Sequence, residues 1–220
     1  MCFSASASFG AGAALTVLGV LSLRKSESRS HIMFASIPLL FAAQQFTEGF
    51  VWLSFINPKF AGLNVWGTYI FMAFAQIVWP AWVPWSIYFL ETNPKRKKLL
   101  FVFTAIGVIV SAYLAYCLFA FPISSRVASH HISYDLQYPM GVISKGVSLY
   151  FLAIIFTPFF STIKRMWLVG LLTLSAMLLA KLFFHEFVIS VWCFFAAVIS
   201  FVVLYMIPIL NQHIKTYRNA

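Results

Sequence analysis

The chain reads as an all-α membrane protein, a bundle of seven transmembrane helices with the N-terminus outside and the C-terminus cytoplasmic. Three observations predict this. Of 220 residues, 62% are hydrophobic and only 9% are charged, against about 25% charged in a soluble domain. The mean hydropathy is +0.90, so the apolar surface exceeds any core that a soluble globule of this size can enclose. The apolar residues also come in continuous stretches rather than alternating ones, which argues for helices and against a barrel. Three cysteines exclude a disulfide scaffold, and the aromatic content excludes disorder.

A spanning helix needs about 20 mainly apolar residues. Seven segments qualify, at about 6–23, 32–55, 65–91, 99–120, 142–161, 166–184 and 187–209. The first has no Lys or Arg before it in residues 1–9, so it reads as a mature span and not as a cleaved signal. The second carries Gln44, Gln45 and Glu48. The third holds Trp79, Pro80, Trp82, Pro84 and Trp85. Its two prolines remove backbone donors, predicting a kink and freed carbonyls in its inner half. The fourth follows the basic run Lys95–Lys98, and beyond it lies the longest loop, about 121–141. The last two spans are one apolar run from Met166 to Leu210, divided at its only strongly polar point, Lys181, His185 and Glu186. Repeats and linkers are absent, so residues 1–220 read as a single domain.

Orientation follows from the basic residues. Arg24, Lys25, Arg29, Lys95, Arg96, Lys97, Lys98, Lys164, Arg165, Lys215 and Arg218 fall on one side, eleven of fifteen. That side is read as cytoplasmic, and the net charge of +10 as contact with anionic lipid. A nucleic-acid partner is excluded, because no soluble basic domain exists to present the charge. The lipid bilayer is the expected environment.

The five acidic residues are where chemistry would sit. Glu91 lies beside the basic run and Glu27 in an inner loop. Glu48 lies about seven residues inside the second span, roughly 10 Å deep by helix rise. An intramembrane carboxylate is costly and is a functional-site hypothesis by default. Gln44 and Gln45 precede it by four and three residues and Trp52 follows by four, so all share one helix face. Gln45, Glu48 and Trp52 are therefore candidate ligand-binding residues, with Gly49 admitting a neighbouring helix. The competing reading is a structural polar knot, or a carboxylate paired with Lys145 or Lys181. In the seventh span Glu186, Ser190 and Cys193 share a face, with Cys193 at the depth of Glu48.

Several metal-ligating residue types gather on the outer side. Cys2, Glu48, His130, His131, His185 and Cys193 are the candidate metal ligands, and thiolate, imidazole and carboxylate suit zinc or copper. No CxxC, HExxH or HxxxH motif backs them, so a site must be assembled across helices. A Cys2–Cys193 disulfide competes with it. Cys117 reads as structural, and His31 and His213 read as solvated at the inner surface. The absence of CxxCH excludes c-type haem, and non-covalent haem on His185 stays open.

Five segments carry a resemblance. They are the opening Met1-Cys2-Phe3-Ser4-Ala5-Ser6-Ala7-Ser8-Phe9; Gln44-Gln45-Phe46-Thr47-Glu48-Gly49 with Trp52; Trp79-Pro80-x-Trp82-x-Pro84; His131-Ile132-Ser133-Tyr134; and Ser190-Val191-Trp192-Cys193-Phe194-Phe195-Ala196-Ala197. Together they resemble a family of bacterial integral membrane proteins described only as a domain of unknown function. The resemblance implies a multi-helix bacterial inner-membrane protein and supplies no reaction. It also makes Met1 credible as a genuine start.

Three functions are open. The first is a metal-binding or ligand-binding site opening to the outer leaflet, with redox or hydrolytic chemistry on a lipid-like or periplasmic small molecule. Seven-helix zinc amidases offer an analogy, but the paired histidines at helical spacing on the last helix are missing here. The second is a non-enzymatic small-molecule receptor or transporter. Transport is disfavoured by the absence of related halves, and retinal by the position of Lys145 and Lys181 near helix ends. The third is a structural partner, with the polar stripe holding helices together.

Overall fold

The computed structural model describes residues 4–128, 131–184 and 187–218. Ten helices and one β-hairpin follow in order: α1 (Ala5–Lys25), α2 (Ile32–Ala35), α3 (Ile37–Ile56), α4 (Leu63–Ala73), α5 (Trp79–Leu90), α6 (Pro94–Ala120), β1 (Ile123–Ala128), β2 (His131–Leu136), α7 (Met140–Phe151), α8 (Trp167–Phe183), α9 (Val188–Ala196) and α10 (Ile199–Arg218). Helices dominate, as expected. Among the described residues, five continuous helical runs are long and apolar enough to cross a membrane: Ala5–Lys25 (α1), Arg29–Ile56 (through α2 and α3), Leu63–Leu90 (α4 and α5), Pro94–Ala120 (α6) and Val188–His213 (α9 and most of α10). Gly146–Phe160 and Trp167–Phe183 are shorter apolar helices that fall where the fifth and sixth spans were expected, below the length of the other five.

Small residues set the helix packing. On α1, Ser8, Gly12, Leu15, Gly19 and Ser22 are buried, a seam that lets α3 come close. A Cβ on Gly19 would lie 2.5 Å from Leu39 Cγ, and one on Gly12 3.0 Å from Phe46. At the next turn of the antiparallel pair the roles reverse, and Gly49 of α3 receives the Phe9 ring. Ser4 starts α1 by accepting from the Ala7 N–H at 3.2 Å, and Asn93 caps α6 through Lys95 and Arg96.

The prolines act one turn earlier than expected. Pro80 has no N–H for the Gln76 carbonyl, and the chain answers with a π-turn over Phe74–Val78, in which Trp79 N–H donates to Phe74 O. Neighbouring helices take up the nearby carbonyls. Tyr150 Oη donates to Ala75 O at 2.6 Å and Ser111 Oγ to Ile77 O at 2.7 Å. Pro84 stays inside α5, and Gly107 of α6 packs directly on Pro80 O. A second π-turn covers Leu152–Phe156, just before Pro158.

Two expectations need correction. Residues 121–141 are not a plain loop: β1 and β2 pair antiparallel with Ile123 opposite Leu136 and Ala128 opposite His131. His131 to Tyr134 are buried, because β2 lies on α9 and on the α3–α4 end of the bundle. His31 is buried, not solvated. Glu91, beside the basic run as expected, is buried and receives the Thr92 and Asn93 amides, the Ser161 hydroxyl, and both the amide and hydroxyl of Thr162. It thereby ties the α5–α6 turn to the segment before α8. The expected break between the last two apolar segments is present, with α8 ending at Phe183 and α9 starting at Val188. A further turn at Ala197–Val198 separates α9 from α10.

A buried polar cluster beside an apolar cavity

Helix α3 delivers its polar face into the protein. Gln44, Gln45 and Glu48 are fully buried, and Trp52 nearly so. The Ser190 hydroxyl of α9 donates to Glu48 Oε1 at 2.5 Å, so two helices far apart in sequence meet at this carboxylate. Trp79 Nε1 donates to Gln44 Oε1 at 2.8 Å, and its ring stacks on Phe41 at 4.0 Å between centroids. Cys193, one helical turn beyond Ser190, is buried and neighbours the Gln44 amide and Glu48. The face expected for Gln44–Glu48 thus meets the Ser190 and Cys193 part of the face expected for Glu186, Ser190 and Cys193; Glu186 lies outside the described residues. Lys181 is exposed at the end of α8 and is not the counter-ion of Glu48; the side chain of Lys145 lies outside the described ones. Trp52, the third candidate ligand-binding residue of this face, is buried. It packs with Phe71, Ile132, Tyr134 and Cys193 beneath the hairpin.

Two cavities border this cluster and share the wall Tyr150, Trp192 and Cys193. The smaller, about 40 Å³, lies toward Phe41, Trp79 and Thr173. The larger, about 250 Å³, runs between Met72, Leu114, Val147 and Ile189, with Gln76 and Tyr138 contributing its polar groups. Tyr138 Oη donates to Gln76 Oε1 at 2.8 Å. Burial pushes the Tyr138 hydroxyl up to about 12, partly offset by that bond, so it stays a neutral donor. Trp192 lines both cavities, and its indole N–H is buried without a partner among the described residues.

The six candidate metal ligands are distributed unevenly. Glu48 and Cys193 are neighbours. His131 sits on the hairpin with its ring against Phe187 at 4.6 Å and Phe184 at 5.3 Å. Cys2, His130 and His185 lie outside the described residues, as does the Cys2 half of the candidate disulfide. Among the described residues no group of three His, Cys, Asp or Glu side chains is close enough to share a metal ion. Sequence reasoning missed the roles of Trp192 and Tyr150. Their signal was spacing: Trp192 adjoins Cys193, and Tyr150 lies eight residues ahead of Pro158.

The model of a family of unknown function, DUF6629, matches residues 1–216. The chain belongs to this family. No curated protein matches the chain, and no solved structure does. The membership covers nearly the whole bundle, from α1 into α10, and so includes both sides of the Glu48–Ser190 contact.

Proposed function

We propose that the chain is a seven-span protein of the bacterial inner membrane, its hairpin end outward and its basic end cytoplasmic. We further propose that it binds a small, largely apolar molecule carrying a hydrogen-bond acceptor. The observation that carries this reading is the cavity of about 250 Å³ between α4, α6, α7 and α9, with Trp192 and Cys193 in its wall. An apolar cavity of about 150 Å³ already stays dry and takes up benzene, so this one has room for a ring or a short chain. A buried N–H without a partner costs about 1–3 kcal/mol. An acceptor on the ligand would recover that at Trp192, while Gln76 and Tyr138 orient the other end. The metal reading draws on Cys2, His130 and His185 and forms no part of this proposal.

Thermal unfolding of the detergent-purified full chain, with cyclohexanone against cyclohexane, tests it. The ketone is expected to stabilise wild type more than the hydrocarbon. Trp192→Phe should abolish the difference, and Ile189→Trp, which fills the cavity, should abolish both effects. Equal or absent stabilisation of wild type by the two probes refutes the reading.

A further inference from the structure

A separate groove of about 740 Å³ opens at the basic end of the bundle. Its one charged residue lies at one end, where Arg29 and Ser30 start the segment leading into α2, and Ser36, whose hydroxyl donates to Met33 O, is the remaining polar side chain midway along. From there it follows Ile32, Leu39 and Leu40 on one side and Trp82 and Phe89 on the other. Arg29 to Leu40 is eleven residue steps, about 16 Å of helix rise, which matches one leaflet of a hydrocarbon core about 30 Å thick. Trp82 closes the groove's floor by donating its indole N–H to Met33 O at 2.9 Å. Ile32 and Phe89 are roughly half exposed, at 51% and 46%, so the walls are apolar and open to the side. Arg29 forms no ion pair, with Glu27 or any other described acid. Glu91, the other acid at this end, is turned inward onto Thr162. A cationic head above a leaflet-deep apolar trough is the complement of an amphiphile with an anionic head.

We propose that this groove binds one anionic phospholipid, its phosphate on Arg29 and Ser30 and an acyl chain along Leu39, Leu40 and Trp82. The inference is independent of the ligand proposed for the cavity at Trp192. Binding here would hold the segment Arg29–Ala35 and α5 together at the basic end, because Arg29 and Ile32 belong to one and Phe89 to the other.

Native mass spectrometry of the full chain, titrated with phosphatidylglycerol or with phosphatidylcholine of the same acyl chains, tests it. Wild type should retain the first phosphatidylglycerol about fivefold more strongly, the worth of one basic residue near an anionic head group. Arg29→Gln should erase the preference, while Lys97→Gln/Lys98→Gln, at a separate depression lined by Tyr88, Pro94 and Phe101, should keep it. Ile32→Asp, which places a like charge in the mouth of the groove, should weaken phosphatidylglycerol further. Equal retention of the two lipids by wild type, or an unchanged preference in Arg29→Gln, overturns the proposal. So would displacement of the lipid by inorganic phosphate alone, since that would assign the affinity to the head without the trough.

Discussion

Replacing Gly107 with alanine tests how the proline-bearing helix is held. A Cβ at this position would lie 2.0 Å from Pro80 O and 3.0 Å from Pro84 Cγ. An ordinary C···O contact needs about 3.3 Å, so α6 and α5 would have to separate by more than an ångström. Neither neighbour can rotate away, because one is backbone and the other a proline ring. Overpacking costs about 1–3 kcal/mol, and rigid surroundings put this site at the upper end. One turn along, separation would also lengthen the bond from Ser111 to Ile77 O, at 2.7 Å, worth about 1 kcal/mol. Gly107→Ala is therefore expected to destabilise the protein by about 3–4 kcal/mol. Gly10→Ala is the control: nothing lies within 4 Å of its Cβ, and helix propensity should gain it about 0.5–1 kcal/mol. Unfolding in mixed detergent and SDS micelles measures both. The ketone response should also weaken in Gly107→Ala, since Leu114 of α6 lines the cavity. Stabilities of the two variants within about 0.5 kcal/mol of each other would refute the packing argument.

Glu91→Ala should cost about 3 kcal/mol, because it strands several buried donors that now bind a charge. Burial disfavours its ionised form, but the Thr162 hydroxyl and amide, with Asn93 and Ser161, outweigh that and hold its carboxyl below the usual carboxylate range. Its contribution is thus full above an unfolded value near 4.5 and is lost as pH falls through the lower folded value; acid unfolding below that window should be blunted in Glu91→Gln. Ser190→Ala removes a hydroxyl from Glu48 at 2.5 Å and should cost about 2 kcal/mol in the same unfolding assay. Gln45→Leu should raise stability by about 1 kcal/mol, since both amide atoms are buried without a partner among the described residues; a loss instead would show that the amide is satisfied. In intact cells, a cysteine at Lys59 should react with an impermeant maleimide while one at Lys97 should not.

The helical architecture was legible because lipid forces a simple rule: long apolar runs must satisfy their own backbone. The stripe Gln44–Glu48 was legible for the same reason, since polar residues at helical spacing in such a run must face protein. The hairpin was not, although Ile123, Val127, Ile132 and Tyr134 have the alternation of strands. Its inner residues are buried by β2's contact with α9, a tertiary fact with no local signature. His31 was misread because its neighbours Arg29 and Ser30 are polar, while the burial comes from packing across the bundle. The burial of Glu91 was not legible because its donors at Ser161 and Thr162 are about seventy residues away. In each case charge and hydropathy indicated the end of the bundle correctly and said nothing about which surface another segment would cover.

Helix adhesion alone is a poor account of the polar cluster. A polar knot that exists to hold helices should close on itself, since a half-satisfied network is worse than an apolar core. The contacts of Ser190 with Glu48 and of Trp79 with Gln44 do close. Around them, the Trp52 and Trp192 indole N–H groups and both ends of the Gln45 amide are buried without partners among the described residues. Three of these four groups are donors. Apolar side chains at the same positions would give firmer packing at lower cost. The surplus of donors becomes intelligible next to a cavity that admits a molecule bearing an acceptor, because the penalty at Trp192 is then relieved on binding. The same arithmetic explains the placement of Cys193 and Tyr150. Small or flat side chains there leave the space open, where a leucine-rich seam would have filled it.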